Sequence, residues 1–97
     1  TNIGAILATG DGTIVAEGEC PTEAYGGPDH VLRRIQTLVE RLSGEVSQRP
    51  VAVGMGCPGL VDVPRGVTRF FPNLPTQWRD IPAAERLSAG LGCPVSL

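Results

Sequence analysis

Charge of either sign is scarce in these 97 residues, with eight Lys and Arg against ten Asp and Glu for a net of −2. No basic block interrupts the chain, which argues against a nucleic-acid or anionic-membrane surface. No apolar run approaches the roughly 20 residues of a membrane-spanning helix, and no charged-then-apolar start resembles a signal peptide. The three cysteines, Cys20, Cys57 and Cys93, are odd in number and far apart, and none forms a Cys-x-x-Cys pair. They indicate neither a disulfide framework nor a zinc site and read as structural or incidental thiols. These absences predict a soluble, cytoplasmic protein with no metal site of its own. A chain of this length makes one small domain, burying about two-thirds of its unfolded surface.

What is present is an ordered run of short elements. Ile3 to Thr9, the turn Gly10-Asp11-Gly12 and the alternating Thr13 to Glu19 read as a hairpin. After a loop through Pro21-Thr22 and Gly26-Gly27-Pro28, Val31, Leu32, Ile35, Leu38, Val39 and Leu42 repeat at helical spacing. The opposite face carries Arg33, Arg34, Gln36, Glu40 and Arg41, so one stripe is buried. The spacing predicts a helix over about Asp29 to Ser43, stopped at Ser43-Gly44 with Arg41 in its last turn. Val51 to Met55 suits a strand covered on both faces. Leu60 to Val63 and Val67 to Phe71 can pair across Pro64-Arg65-Gly66. Asp80 is a candidate cap for a helix through Ala83, Leu87 and Leu91 that ends at Gly92, and Cys93 to Leu97 opens another strand. The order β-β-α-β-hairpin-α-β defines an α/β pattern with at least one crossover.

Val51 to Trp78 is the part richest in chemistry, because it runs from strand to Gly/Pro turn to hairpin to a Pro-Asn loop without a break. Gly54-Met55-Gly56-Cys57-Pro58-Gly59 satisfies G-x-G-x-x-G after a strand. A dinucleotide site needs a helix starting within those glycines, and Pro58 and the turn-rich LVDVPRGV deny one. The plainer role for the glycines is close packing of strand on helix. His30, the lone histidine, falls at a helix start with no nucleophile patterned near it, and reads as a solvent-facing residue rather than a base. Asp11, Asp62 and Asp80 are each explained by turns or a cap. Asn73 differs: a buried or half-buried amide in Pro72-Asn73-Leu74-Pro75 must find partners, which a sugar hydroxyl or its own turn can supply. Trp78, the only tryptophan, reads as core before stacking platform.

Taken together, the chain resembles the N-terminal half of a sugar kinase of the ROK family (repressor, open reading frame, kinase), of the bacterial glucokinase type. The resemblance rests on Thr1-Asn2-Ile3, similar to the end of the family's Asp-x-Gly-Gly-Thr phosphate turn, and on the Asp11-Gly12 hairpin and Pro21-Thr22. It continues through Val53-Gly54-Met55-Gly56-Cys57-Pro58-Gly59-Leu60-Val61-Asp62, Gly66-Val67 and Phe71-Pro72-Asn73-Leu74 with Trp78. Gly92-Cys93-Pro94-Val95 closes it, so essentially the whole chain is covered.

The resemblance implies a ribonuclease-H-like α/β fold, shared with hexokinases, actin and Hsp70, with a mixed sheet flanked by helices. Residues 1–97 would be a partial first domain cut at both ends and lacking its leading central strand. It further implies phosphorylation of a hexose, glucose foremost and at C6, from Mg-ATP or polyphosphate, in a homodimeric cytoplasmic protein. Thr1 and Asn2 are carried over as ATP-phosphate-side residues, and Gly59, Pro72 and Asn73 as sugar-side residues. The family's catalytic aspartate is expected just after Leu97, and the Glu and His sugar ligands and the His/Cys zinc motif of many members lie further downstream, so no catalytic or metal residue is assigned here. A sugar-sensing repressor of the same family, with DNA-binding helices before Thr1, is the alternative, and a plain α/β interaction domain is a third.

Overall fold

The computed structural model describes residues 2–97. Its elements are β1 (Asn2–Ala8), β2 (Ile14–Pro21), α1 (Gly27–Val46), β3 (Val53–Gly54), β4 (Leu60–Asp62), β5 (Val67–Phe70), α2 (Ala83–Leu91) and β6 (Val95–Ser96), with a single 3-10 turn at Ala24–Gly26 before α1. The order matches the one read from the sequence. Among the described residues the strands form three separate pairs: β1 with β2 antiparallel, β4 with β5 antiparallel, and β3 with β6 parallel. The parallel pair sets Val53 against Val95 and encloses α2 in its crossover.

In the first hairpin, the Asp11 carboxylate accepts from the Thr9 hydroxyl and from the Thr13 amide, while the Gly12 amide donates to the Thr9 carbonyl. These bonds to the ionised form, that of Thr9 foremost, lower the Asp11 pKa to about 2. Ile3, Ala5 and Leu7 alternate toward the interior, and Gly4, Ile6 and Ala8 away from it.

Helix α1 is longer than its sequence signals at both ends. Pro28 sits in its first turn, where its missing N–H costs nothing. Ser43-Gly44 does not stop it: the Ser43 hydroxyl donates back to the Val39 carbonyl at 2.9 Å, and the helix ends only where Ser47 turns left-handed at φ 55°. Arg41 therefore lies short of the last turn, which carries no basic residue. Val31, Leu32, Leu38 and Leu42 are buried, as their spacing predicts. Val31 and Leu32 join Phe71, Trp78, Ala83 and Leu87 in one cluster, against which Ile3, Met55, Cys57 and Val95 pack.

Two further expectations need correction. The Val51 strand is not covered on both faces, because β3 is only two residues long and Val51 is 89% exposed. Val53, Met55 and Cys57 turn inward while Gly54 and Gly56 face open space. Nor does Asp80 cap α2: the cap position belongs to Pro82, and Asp80 adopts a left-handed φ of 58° and pairs with Arg69. Pro82 has a non-helical ψ of 67° while its carbonyl accepts the first helical bond, from the Arg86 amide at 3.1 Å, so the helix starts at Ala83.

Candidate sugar-facing corner

Gly59 meets Phe70 and Phe71, the residues that lead into Pro72 and Asn73, where the second hairpin begins and ends. Leu60 opens β4 opposite Phe70 at the end of β5, which brings Gly59 beside the chain that enters the Pro-Asn loop. A Cβ on Gly59 would collide with the Phe70 carbonyl oxygen and lie 2.8 Å from Phe71 Cδ1. The close packing expected of the glycines thus falls on Gly59 alone in the motif, against a strand and not a helix. At the hairpin's far end Gly66 turns at φ 66°, its amide donating to the Asp62 carbonyl at 2.8 Å. That hairpin follows the glycines in place of a helix, which removes the dinucleotide reading.

The Leu74 amide donates to the Phe71 carbonyl at 3.3 Å, closing a turn with Pro72 and Asn73 at its centre. Pro72 presets the backbone of the first central position. Asn73 is exposed, contrary to the half-buried amide expected from its flanking prolines. The turn lifts it away from the core while its neighbour Phe71 packs in.

The loop is pinned where it leaves and rejoins the core. Phe71 and Trp78 stack with ring centroids 5.2 Å apart and planes inclined at 23°. Trp78 is core, as its composition class suggests, and its indole Nε1 is buried with no acceptor among the described residues. Thr68 is 0% exposed, and its hydroxyl donates to the Trp78 carbonyl and accepts from the Ile81 amide at 3.2 Å. The Thr68 amide donates to the Ile81 carbonyl at 2.9 Å, and its carbonyl accepts from the Asp80 amide at 2.8 Å. On the outer side Arg69 bridges Asp80 and Asp62, and these two carboxylates, Asp80 first, raise its pKa. Sequence reasoning did not single out Thr68. A polar β-branched residue inside a strand is its one signal, and the partners of its hydroxyl lie ten and thirteen residues away.

The remaining candidates fall elsewhere. Asn2 is exposed and paired with Pro21 in the first hairpin; Thr1 lies outside the described residues. His30 is partly exposed at the start of α1, its Nε2 2.8 Å from Glu23 Oε1. That bond, with Arg34 behind it, lowers the Glu23 pKa. Burial pushes the Cys57 thiol up, which suits a packing residue better than a nucleophile.

A small α/β unit of two helices and three strand pairs, carrying a Pro-Asn loop beside a Gly turn, is the class this architecture defines. The sequence pattern of the ROK family matches residues 1–97, and the chain belongs to that family. A glucokinase of Thermotoga maritima is 36% identical over 92 residues, 94% of this chain and 28% of that protein. A glucokinase of Streptomyces coelicolor is 33% identical over 95 residues, 98% of this chain and 28% of its own. The crystal structure of a ROK hexokinase from Thermus thermophilus superposes with a TM-score of 0.86 at 33% identity, over 98% of this chain and 30% of that one. An inorganic polyphosphate/ATP-glucomannokinase from Arthrobacter sp. strain KM shares the fold, with a TM-score of 0.80 at 23% identity, over 98% of this chain and 38% of its own. The chain spans less than a third of the length of the curated relatives it matches.

Proposed function

We propose that these 97 residues are part of the first domain of an ATP-dependent hexose kinase that phosphorylates glucose at its C6 hydroxyl, and that they form the sugar-side wall of its cleft. The observation that carries the reading is the exposed Asn73 amide on a proline-set turn whose leading residues, Phe70 and Phe71, pack against Gly59. An exposed amide offers a donor and an acceptor together, which is what a sugar hydroxyl needs. A loop held in place before binding loses little entropy when the sugar docks. The likeness to glucokinases and to a hexokinase supports the same substrate class.

In that enzyme Mg-ATP supplies the phosphoryl group when bound. The part of this chain is to bind and orient: Asn73 holds a sugar hydroxyl, Gly59 lets the Gly/Pro turn close against Phe70 and Phe71 at the base of the loop, and Pro72 fixes the turn. Thr1 and Asn2 stand on the phosphate side, while the catalytic aspartate, expected just after Leu97, and any structural zinc belong to residues outside this chain. The same reading makes the protein a cytoplasmic homodimer.

The test is Asn73→Ala in the full-length protein. It is expected to raise the glucose KM about tenfold or more, or to lower kcat, with the ATP KM within about twofold of the parent. Kinetics indistinguishable from the parent would remove Asn73 from the site. A winged-helix segment before Thr1, a degraded Gly-Gly turn and no phosphorylation of glucose would overturn the kinase in favour of a sugar-sensing repressor.

A further inference from the structure

We infer that Thr68, which faces away from solvent altogether, is a positioning residue for sugar binding because it clamps the base of the Asn73 loop; the inference rests on the sugar-side reading of Asn73. Between Phe71 and Trp78 the six residues 72–77 run over the surface, with Leu74 packed back against the central cluster. Most of this loop is exposed, and an exposed loop of that length has many conformations open to it unless its ends are held. Here both ends are held, and by different means.

At the first end the Phe71 ring stacks on the returning Trp78, an apolar pin without direction along the chain. At the second end Thr68 engages the returning segment through three groups and four hydrogen bonds. Its amide and carbonyl make ladder-like bonds to Ile81 and Asp80, and its hydroxyl bridges the Trp78 carbonyl and the Ile81 amide. The backbone bonds hold Ile81 and Asp80, and the hydroxyl is the group of Thr68 that reaches Trp78, where the loop rejoins the core. Sliding the return segment by one residue would leave a buried hydroxyl and a buried carbonyl unpaired, and such groups are costly in a dry interior. Register at Trp78 sets how far the loop is drawn in, and hence where Asn73 stands relative to Gly59.

The Arg69–Asp80 and Arg69–Asp62 pairs outside the clamp are exposed and do not substitute for it. The Thr76 hydroxyl donating to the Ala24 carbonyl at 3.5 Å is a long bond and a weak tether. The hydroxyl of Thr68 is therefore the group whose loss should loosen the loop without touching the sugar.

The experiment compares Thr68→Val, which keeps shape and loses the hydroxyl, with Thr68→Ser, which keeps the hydroxyl and loses a methyl, in the full-length protein beside Asn73→Ala. Thr68→Val is expected to raise the glucose KM about fivefold to tenfold with the ATP KM within about twofold, and Thr68→Ser to restore the parent glucose KM. A parent-like glucose KM in Thr68→Val overturns the clamp, as does an equal rise in both variants, which marks lost packing alone. If Thr68→Val does not fold, Phe71→Leu removes the other pin and leaves the backbone bonds: a raised glucose KM supports a loop held from its base, and an unchanged one overturns it. A silent Asn73→Ala overturns the sugar-side reading and the clamp with it. A raised KM in Asn73→Ala beside a silent Thr68→Val overturns the clamp only.

Discussion

Gly59 lies so close to the carbonyl of Phe70 that no side chain fits between them. The contact joins the end of the Gly/Pro turn to the start of the Pro-Asn loop, and it is what makes one corner of two segments more than ten residues apart in sequence.

Gly59→Ala should therefore act on the corner as a whole. The added methyl meets backbone that cannot swing aside, so the hairpin must shift, at a cost of about 1–3 kcal/mol. Thermal melts of the full-length variant should show the loss of stability, and steady-state kinetics a raised glucose KM. Parent values in both would show that the hairpin yields freely.

Leu87 is 1% exposed within the central cluster, where α2 meets α1. Leu87→Ala should cost about 2–5 kcal/mol in chemical denaturation, because the helices close only partly over the cavity. Arg86→Ala, one residue away, removes an exposed pair with Asp29 and should change stability by less than about 1 kcal/mol. A larger loss from Arg86 than from Leu87 would reverse the assignment of what joins the helices.

The Asp11 carboxyl has a folded pKa of about 2 against 3.8 ordinarily. A depressed carboxylate stabilises the fold above its unfolded value, and that contribution fades as pH falls from about 4 toward 2. Carboxyl NMR titration should place the midpoint near the low value and return it toward the ordinary one in Thr9→Val. An unchanged midpoint in that variant would assign the shift to the Thr13 amide instead.

Among the described residues β1 pairs only with β2 and β3 only with β6, which leaves an open edge on each. Ile6, Ile14, Val51, Leu60, Val63 and Phe70 are exposed as well. Residues 1–97 produced alone should aggregate or melt over a broad range, since open edges and apolar faces invite association. A sharp cooperative melt of a soluble monomer would refute this.

The order of elements, the buried stripe of α1, the two hairpins and the burial of Trp78 were legible in the residues themselves. Each depends on local spacing or turn chemistry: period 3.6 along Val31 to Leu42, and glycine where φ is positive at Gly66. Boundaries were less legible. Ser43-Gly44 carries a stop signal, yet Ser43 is buried and bonded to Val39, and the helix continues over it.

Which residue types stand at the corner can be read along the chain: a glycine before the hairpin, and a proline and an asparagine after it. Tertiary structure alone decided that Gly59 meets Phe70, that Asn73 faces outward, and that Thr68 holds Trp78 and Ile81. Those relationships join residues whose partners lie across a turn or a loop, and no periodicity of one segment carries the position of another.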